Sequence, residues 1–160
     1  MTPSKVLICT YGTRGDVEPF LALAHGLKEA GFDVALATSS RFRAFVESHD
    51  VAFFPMSDTS LAALESPDGK TMLEGNSGLL ARITAGIRLS RRSGAIQDGL
   101  MRETFAAAVD FPPDLIVFNA KLFAAPHVAE KLGVPAFLGM LQPMLVPTAA
   151  FPAMGLRDLP

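Results

Sequence analysis

Apolar residues along the chain alternate between short solid runs and helical stripes. The first run, Lys5-Val6-Leu7-Ile8-Cys9-Thr10, has the length and composition of a strand covered on both faces. It breaks at Tyr11-Gly12-Thr13-Arg14-Gly15-Asp16, a glycine turn. Beyond the turn the period changes. Leu21, Ala24 and Leu27 recur at i, i+3 and i+6 and predict a helix over 17–30. Asp16 is its expected N-cap, Glu18 suits the dipole, Pro19 suits the first turn, and Gly31 is the stop. Residues 32–38 predict a second strand, with Ser39 and Ser40 as turn and cap. A short helix follows over 41–48, with Phe42, Phe45 and Val46 on one face, and then a third strand over 51–55. The first 55 residues therefore read β-α-β-α-β, the pattern of a parallel, doubly wound sheet.

The middle is less regular. Pro67-Asp68-Gly69 and Gly75-Asn76-Ser77-Gly78 are turn signals, with a short helix expected over 60–65. From residue 79 the stripe returns: Leu79, Ile83 and Ile87 repeat every four residues among Arg82, Arg88, Arg91 and Arg92. Gly94 is expected to interrupt this helix, and a second should run over 97–109. Pro112-Pro113-Asp114 introduces a fourth strand at 115–118, with Asn119 at its C-terminal end. A helix is expected over 123–132, with Pro126 in its first turn and Gly133 as its stop. A fifth strand covers 136–139. Residues 140–160 hold four prolines and spell no clear element. The pattern predicts one Rossmann-like α/β domain over 1–160.

Composition narrows the function classes. The 160 residues are 49% hydrophobic and 19% charged, with a net charge of −2. That is enough apolar mass for one real core, and it lacks the basic surplus of a nucleic-acid binder. The single cysteine, Cys9, excludes a disulfide-stapled domain. No apolar run reaches the ~18 residues of a membrane span, and no signal-peptide apolar region follows Met1. The expected location is the cytosol.

The candidate chemistry lies at the glycine turn. A strand feeding a glycine turn into a helix aims free N–H groups and a helix dipole at one point. Gly12-Thr13-Arg14-Gly15 is not the dinucleotide fingerprint, and the second strand ends in Thr38-Ser39 without an acid. It is not a P-loop either, since no Gly-Lys-Ser/Thr follows. Asp16 sits at the strand's C-terminal edge, where open α/β sheets bind ligands, and reads either as a general base or as a simple N-cap. Asn119 reads as a site residue or a turn former. His127, at a helix start, reads as a site residue or a plain helix-start histidine. No Asp-x-Asp or His/Cys pair has metal-ligand spacing, so no metal is expected.

Gly12-Thr13-Arg14-Gly15-Asp16-Val17-Glu18-Pro19, with Leu21-Ala22-Leu23-Ala24 and Leu27 behind it, resembles the opening of GT-B glycosyltransferases. The likeness is greatest to the branch of sterol glucosyltransferases and bacterial antibiotic or glycolipid glycosyltransferases. A second block, Pro113-Asp114-Leu115-Ile116-Val117-Phe118-Asn119 and then 126–136 from Pro126-His127-Val128 onward, resembles the same branch in the same order.

The resemblance implies the acceptor-binding N-terminal half of a two-domain enzyme, incomplete here, with the donor half outside the chain. It implies transfer of a sugar, with inversion, from a nucleotide-sugar (UDP- or TDP-linked) to a hydroxyl of a lipophilic acceptor: a sterol, a glycolipid or an antibiotic-like aglycone. No cofactor is implied, and the 160-residue piece alone should be inactive. Asp16 matches the acid proposed in related enzymes to deprotonate the acceptor. Gly12, Thr13, Arg14 and Gly15 would line the cleft near the donor phosphates. Asn119, His127, Met140 and Gln142 would line the acceptor side. The stretch 79–92, from Leu79 to Arg92, reads as an ordinary amphipathic helix, as an acceptor flap, or as a peripheral contact with an anionic membrane. The rival reading is a stand-alone Rossmann-like binding module without catalysis.

Overall fold

Parallel pairing organises the chain. The computed structural model describes residues 5–59, 61–62 and 79–142, with side chains throughout except at 79–93. Five strands, β1 (Lys5–Cys9), β2 (Asp33–Ser39), β3 (Ala52–Met56), β4 (Leu115–Asn119) and β5 (Ala136–Gly139), form one sheet in the order β3-β2-β1-β4-β5. Every pairing is parallel. The helices are α1 (Arg14–Glu29), α2 (Arg43–Glu47, entered through a 3-10 turn at Ser40–Phe42), α3 (Leu79–Asp110) and α4 (Ala124–Leu132).

Strand alternation divides the core in two. Val6, Ile8, Val34 and Leu36 pack against Val17, Phe20, Leu21 and Ala24 of α1 and Val46 of α2. Leu7, Cys9, Ala35, Ala37 and Ile116 pack on the other face with Leu100, Ala107 and Ala108 of α3 and Ala125, Val128 and Ala129 of α4. A one-residue slip of β1 would exchange these sets. Each fully buried aliphatic side chain contributes about 1.5–3 kcal/mol, so the pairing Val6↔Val34 and Val6↔Leu115 is firmly held.

The five strands stand where the pattern put them, within one residue at their ends. The helices differ more. α1 begins at Arg14, three residues before the expected start, because Thr13 and not Asp16 is the N-cap. Pro19 therefore falls in the second turn, and its missing N–H leaves the Gly15 carbonyl without its i+4 donor. Both residues are exposed, so water can serve that carbonyl. α3 runs unbroken through Gly94. An exposed helical glycine costs about 1 kcal/mol against alanine, less than the burial of Leu100, Ala107 and Ala108 secures.

α4 ends at Gly133 in the left-handed region (φ 71°), as the stop signal required. Leu61 and Ala62 of the helix expected over 60–65 are helical. Residues 63–78 and 143–160 lie outside the described residues, as do the side chains of 79–93, so the flap and membrane readings of that stretch gain no geometry. No helix among the described residues is long and apolar enough to cross a membrane.

Candidate active site at the sheet switch point

The strand order opens a crevice at one place. From β1 the chain crosses through α1 to β2 on one face, and it returns through α3 to β4 on the other. The loops after β1 and β4 therefore diverge at the C-terminal edge, the position where open α/β sheets hold ligands.

The β1 loop delivers Asp16. Thr13 caps α1 and Asp16 is its third residue, so the pair closes a capping box. The Thr13 backbone N–H donates to Oδ2 of Asp16 at 2.8 Å and the Thr13 hydroxyl contacts the same oxygen at 3.1 Å. The Asp16 N–H donates to the Thr13 carbonyl at 2.9 Å. The carboxylate thus folds back over the turn, into the space beside Gly12. Gly12 has φ +144°, and a Cβ there would meet Oδ2 of Asp16 at 2.2 Å. Gly15 is crowded by nothing closer than 3.9 Å, so only the first glycine of the turn is required by space.

The β4 loop delivers Lys121. Its Nζ lies 2.7 Å from both Oδ1 and Oδ2 of Asp16. The Asp16 side chain is 15% exposed and that of Lys121 is 53% exposed. Burial alone would push the Asp16 pKa up. The Lys121 ammonium and the Thr13 donors outweigh it and hold the carboxyl below the usual carboxylate range.

Asn119 joins the two loops from beneath. It is 3% exposed. Its Nδ2 donates to the Thr10 hydroxyl at 3.0 Å and to the Tyr11 carbonyl at 2.9 Å. Its Oδ1 accepts the Lys121 N–H at 3.2 Å. The Thr10 hydroxyl in turn donates to the Asp16 carbonyl at 2.8 Å. Farther along the edge, the Tyr11 hydroxyl donates to the Ser57 carbonyl at 2.6 Å, and the Ser57 N–H donates to Glu103 at 2.8 Å. These bonds tie the ends of β1 and β3 to α3.

The remaining expected residues are distributed unevenly. Asn119 lies under the crevice and not on its surface. Arg14 turns outward to Glu18 at 3.2 Å and over the Phe45 ring at 4.7 Å. The Thr13 N–H is engaged by Asp16, so it is not aimed at a ligand. His127 lines a groove of about 290 Å³ between α3 and α4, with Met101, Phe105 and Lys131 among its walls. Met140 and Gln142 are exposed just past β5, at the same edge of the sheet as the crevice. Lys121 was not anticipated. Its signal is a cation two residues past the end of a strand that topology sets beside β1. Cys9 is fully buried with its thiol pushed up to about 12, so it is no nucleophile at neutral pH. Among the described residues no group of three or more His, Cys, Asp or Glu could hold a metal ion.

Residues 6–150 match the family model described as the glycosyltransferase family 28 N-terminal domain. A sterol 3-beta-glucosyltransferase of Arabidopsis thaliana is 36% identical over 155 residues, covering 92% of this chain and 24% of that protein. One from Vanderwaltozyma polyspora is 32% identical over 148 residues, covering 89% of this chain and 11% of that protein. The chain thus spans a quarter or less of these relatives' length. Among solved structures, the glycosyltransferase of kitacinnamycin superposes with a TM-score of 0.61 at 18% identity, and the calicheamicin glycosyltransferase CalG4 with 0.58 at 19%. Each match covers 88% of this chain and 31% of the other. At such identities the likeness is one of fold: a Rossmann-like parallel sheet shared with GT-B glycosyltransferases.

Proposed function

The chain belongs to the glycosyltransferase family 28 N-terminal domain family, and from that premise we propose that it is the acceptor-side domain of an inverting sugar transferase. The whole enzyme moves a hexosyl-type sugar from a nucleotide-linked donor to a hydroxyl of a lipophilic acceptor. A second domain outside these residues holds most of the donor. A sterol is the first acceptor to try, since the relatives of higher identity carry that name.

The observation that carries the reading is Asp16 itself: an ionised carboxylate, 15% exposed, at the switch-point edge of the sheet. An alcohol is a weak nucleophile, with a pKa of about 16, near that of water. A carboxylate within hydrogen-bond reach accepts the proton as the new bond forms. The acceptor oxygen attacks the anomeric carbon from the face opposite the leaving group. The C–O bond to the nucleotide diphosphate breaks, and the diphosphate departs with that electron pair. The proton ends on Asp16. Lys121, the Thr13 N–H and the Thr13 hydroxyl all favour the carboxylate form, the form in which a base must stand before attack.

The test is Asp16→Asn in the full-length enzyme, assayed with a nucleotide-linked glucose and a sterol. Turnover should fall about 10²–10⁴-fold, with donor KM and the folded fraction retained. Unchanged turnover would leave Asp16 as a capping residue only. The 160-residue chain should show no transfer, and measurable turnover by it would sink the two-domain reading.

A further inference from the structure

Two loops meet at Asp16, and the second brings a cation that reaches both of its carboxylate oxygens. We infer that Lys121 is the positioning residue for Asp16, gripping both carboxylate oxygens from across the crevice so that Oδ1 faces an incoming hydroxyl. The inference rests on the reading of Asp16 as the base.

The two oxygens are not equivalent. Oδ2 takes the Thr13 N–H at 2.8 Å, the Thr13 hydroxyl at 3.1 Å and Lys121 at 2.7 Å. An ionised carboxylate oxygen has about two lone-pair directions, so Oδ2 is filled. Oδ1 takes Lys121 at 2.7 Å and keeps one direction open. A hydroxyl arriving in the crevice therefore finds Oδ1.

The root of Lys121 is fixed as well. Its N–H is held by the buried Asn119, which also binds Thr10 and Tyr11 on the β1 loop. One amide thus sets both ends of the Lys121–Asp16 contact. With its side chain 53% exposed, Lys121 belongs to a class of pair that adds little to stability. Its effect falls on the direction and charge state of the carboxylate.

The other charged groups around the crevice are engaged elsewhere. On α1, Arg14 pairs with Glu18. Past β2, Arg41 lies 3.7 Å from Asp58. On α3, Glu103 takes the Ser57 N–H. On α4, His127 and Lys131 line the outer groove.

The test separates this clamp from the base assignment. Asp16 is titrated by carboxyl 13C NMR in the full-length transferase, as wild type, Lys121→Met and Lys121→Arg. The methionine variant should move the midpoint up toward the ordinary value of about 3.9, and the arginine variant should move it back. An unmoved midpoint in Lys121→Met overturns the clamp. In the full-length transferase, Lys121→Met should lower kcat by roughly 10–10²-fold, as misorientation does. Donor KM should hold, and the acid limb of the pH–rate profile should rise with the NMR midpoint. A midpoint that moves while the acid limb stays put leaves the clamp standing and removes Asp16 as the base.

Discussion

A Cβ placed on Gly12 would lie 2.2 Å from Oδ2 of Asp16. The turn can fold its carboxylate back over the chain only because residue 12 has no side chain. Gly12→Ala adds backbone strain at φ +144°, a conformation that costs of order 1–3 kcal/mol for other residues. It also evicts Asp16 from its bonds to Thr13. We expect a loss of about 2–4 kcal/mol in urea unfolding. Gly15→Ala, in the first turn of the same helix, would place its Cβ at an ordinary 3.9 Å contact from the Thr13 hydroxyl and should instead be neutral or gain up to about 1 kcal/mol.

Asp16 makes stability depend on acid. Its carboxyl lies below the usual range when folded, so the unfolded chain takes up a proton there first. The stabilisation is complete above the unfolded pKa of about 3.9 and is lost as pH falls through the folded value. The stability gap between wild type and Asp16→Asn should hold level from about pH 6 to 8 and narrow below about pH 4. Urea titrations across that range measure it. A gap that widens toward acid would contradict the sign.

Asn119 is the joint between the loops. Asn119→Ala removes bonds to Thr10, Tyr11 and Lys121 together and leaves the Tyr11 carbonyl without that donor. Unsatisfied buried groups cost about 1–3 kcal/mol each, so a loss of about 2–4 kcal/mol is expected. The same change should loosen the Lys121–Asp16 contact, visible as an upward move of the Asp16 titration midpoint. Stability loss without that move would confine Asn119 to a packing role.

Cys9 reports on the centre of the sheet. It is fully buried, with its thiol pushed up to about 12, and it pairs with Ala37 and Phe118 on the flanking strands. Thiol reagents at pH 8 should label it only when the sheet opens. The labelling rate should track global unfolding measured by denaturant. Rapid labelling under native conditions would mean that β1 opens locally.

The sheet was legible because parallel strands covered on both faces read as solid apolar runs, and Val6-Leu7-Ile8 and Leu115-Ile116-Val117 have little else to be. α1 was misplaced by three residues because Thr13-Arg14-Gly15-Asp16 is a capping box. Its acid belongs at the third helical position and its threonine at the cap. The break expected at Gly94 did not occur, since glycine's local preference against helix is weaker than the burial that continues past it. Asp16 was visible in one stretch of sequence. Lys121 was not, because its relevance depends on β4 lying beside β1, which no local pattern states. His127 reads from sequence as either a site residue or a plain helix-start histidine, and it lines the groove between α3 and α4. That groove depends on how α4 packs on α3, again a long-range fact.

The pairing of β1 with β4 also sets an order of events. Val6 meets Leu115, and Thr10 meets Asn119, across 109 residues of chain. Strands β1, β2 and β3 with α1 and α2 occupy the first 56 residues and can assemble from contacts close in sequence, while β4 must wait for a long loop to close. During synthesis the N-terminal segment emerges first, so Asp16 and its turn are made well before the lysine that grips them. The crevice therefore exists only once β4 has docked on β1, and any parting of those two strands dismantles it.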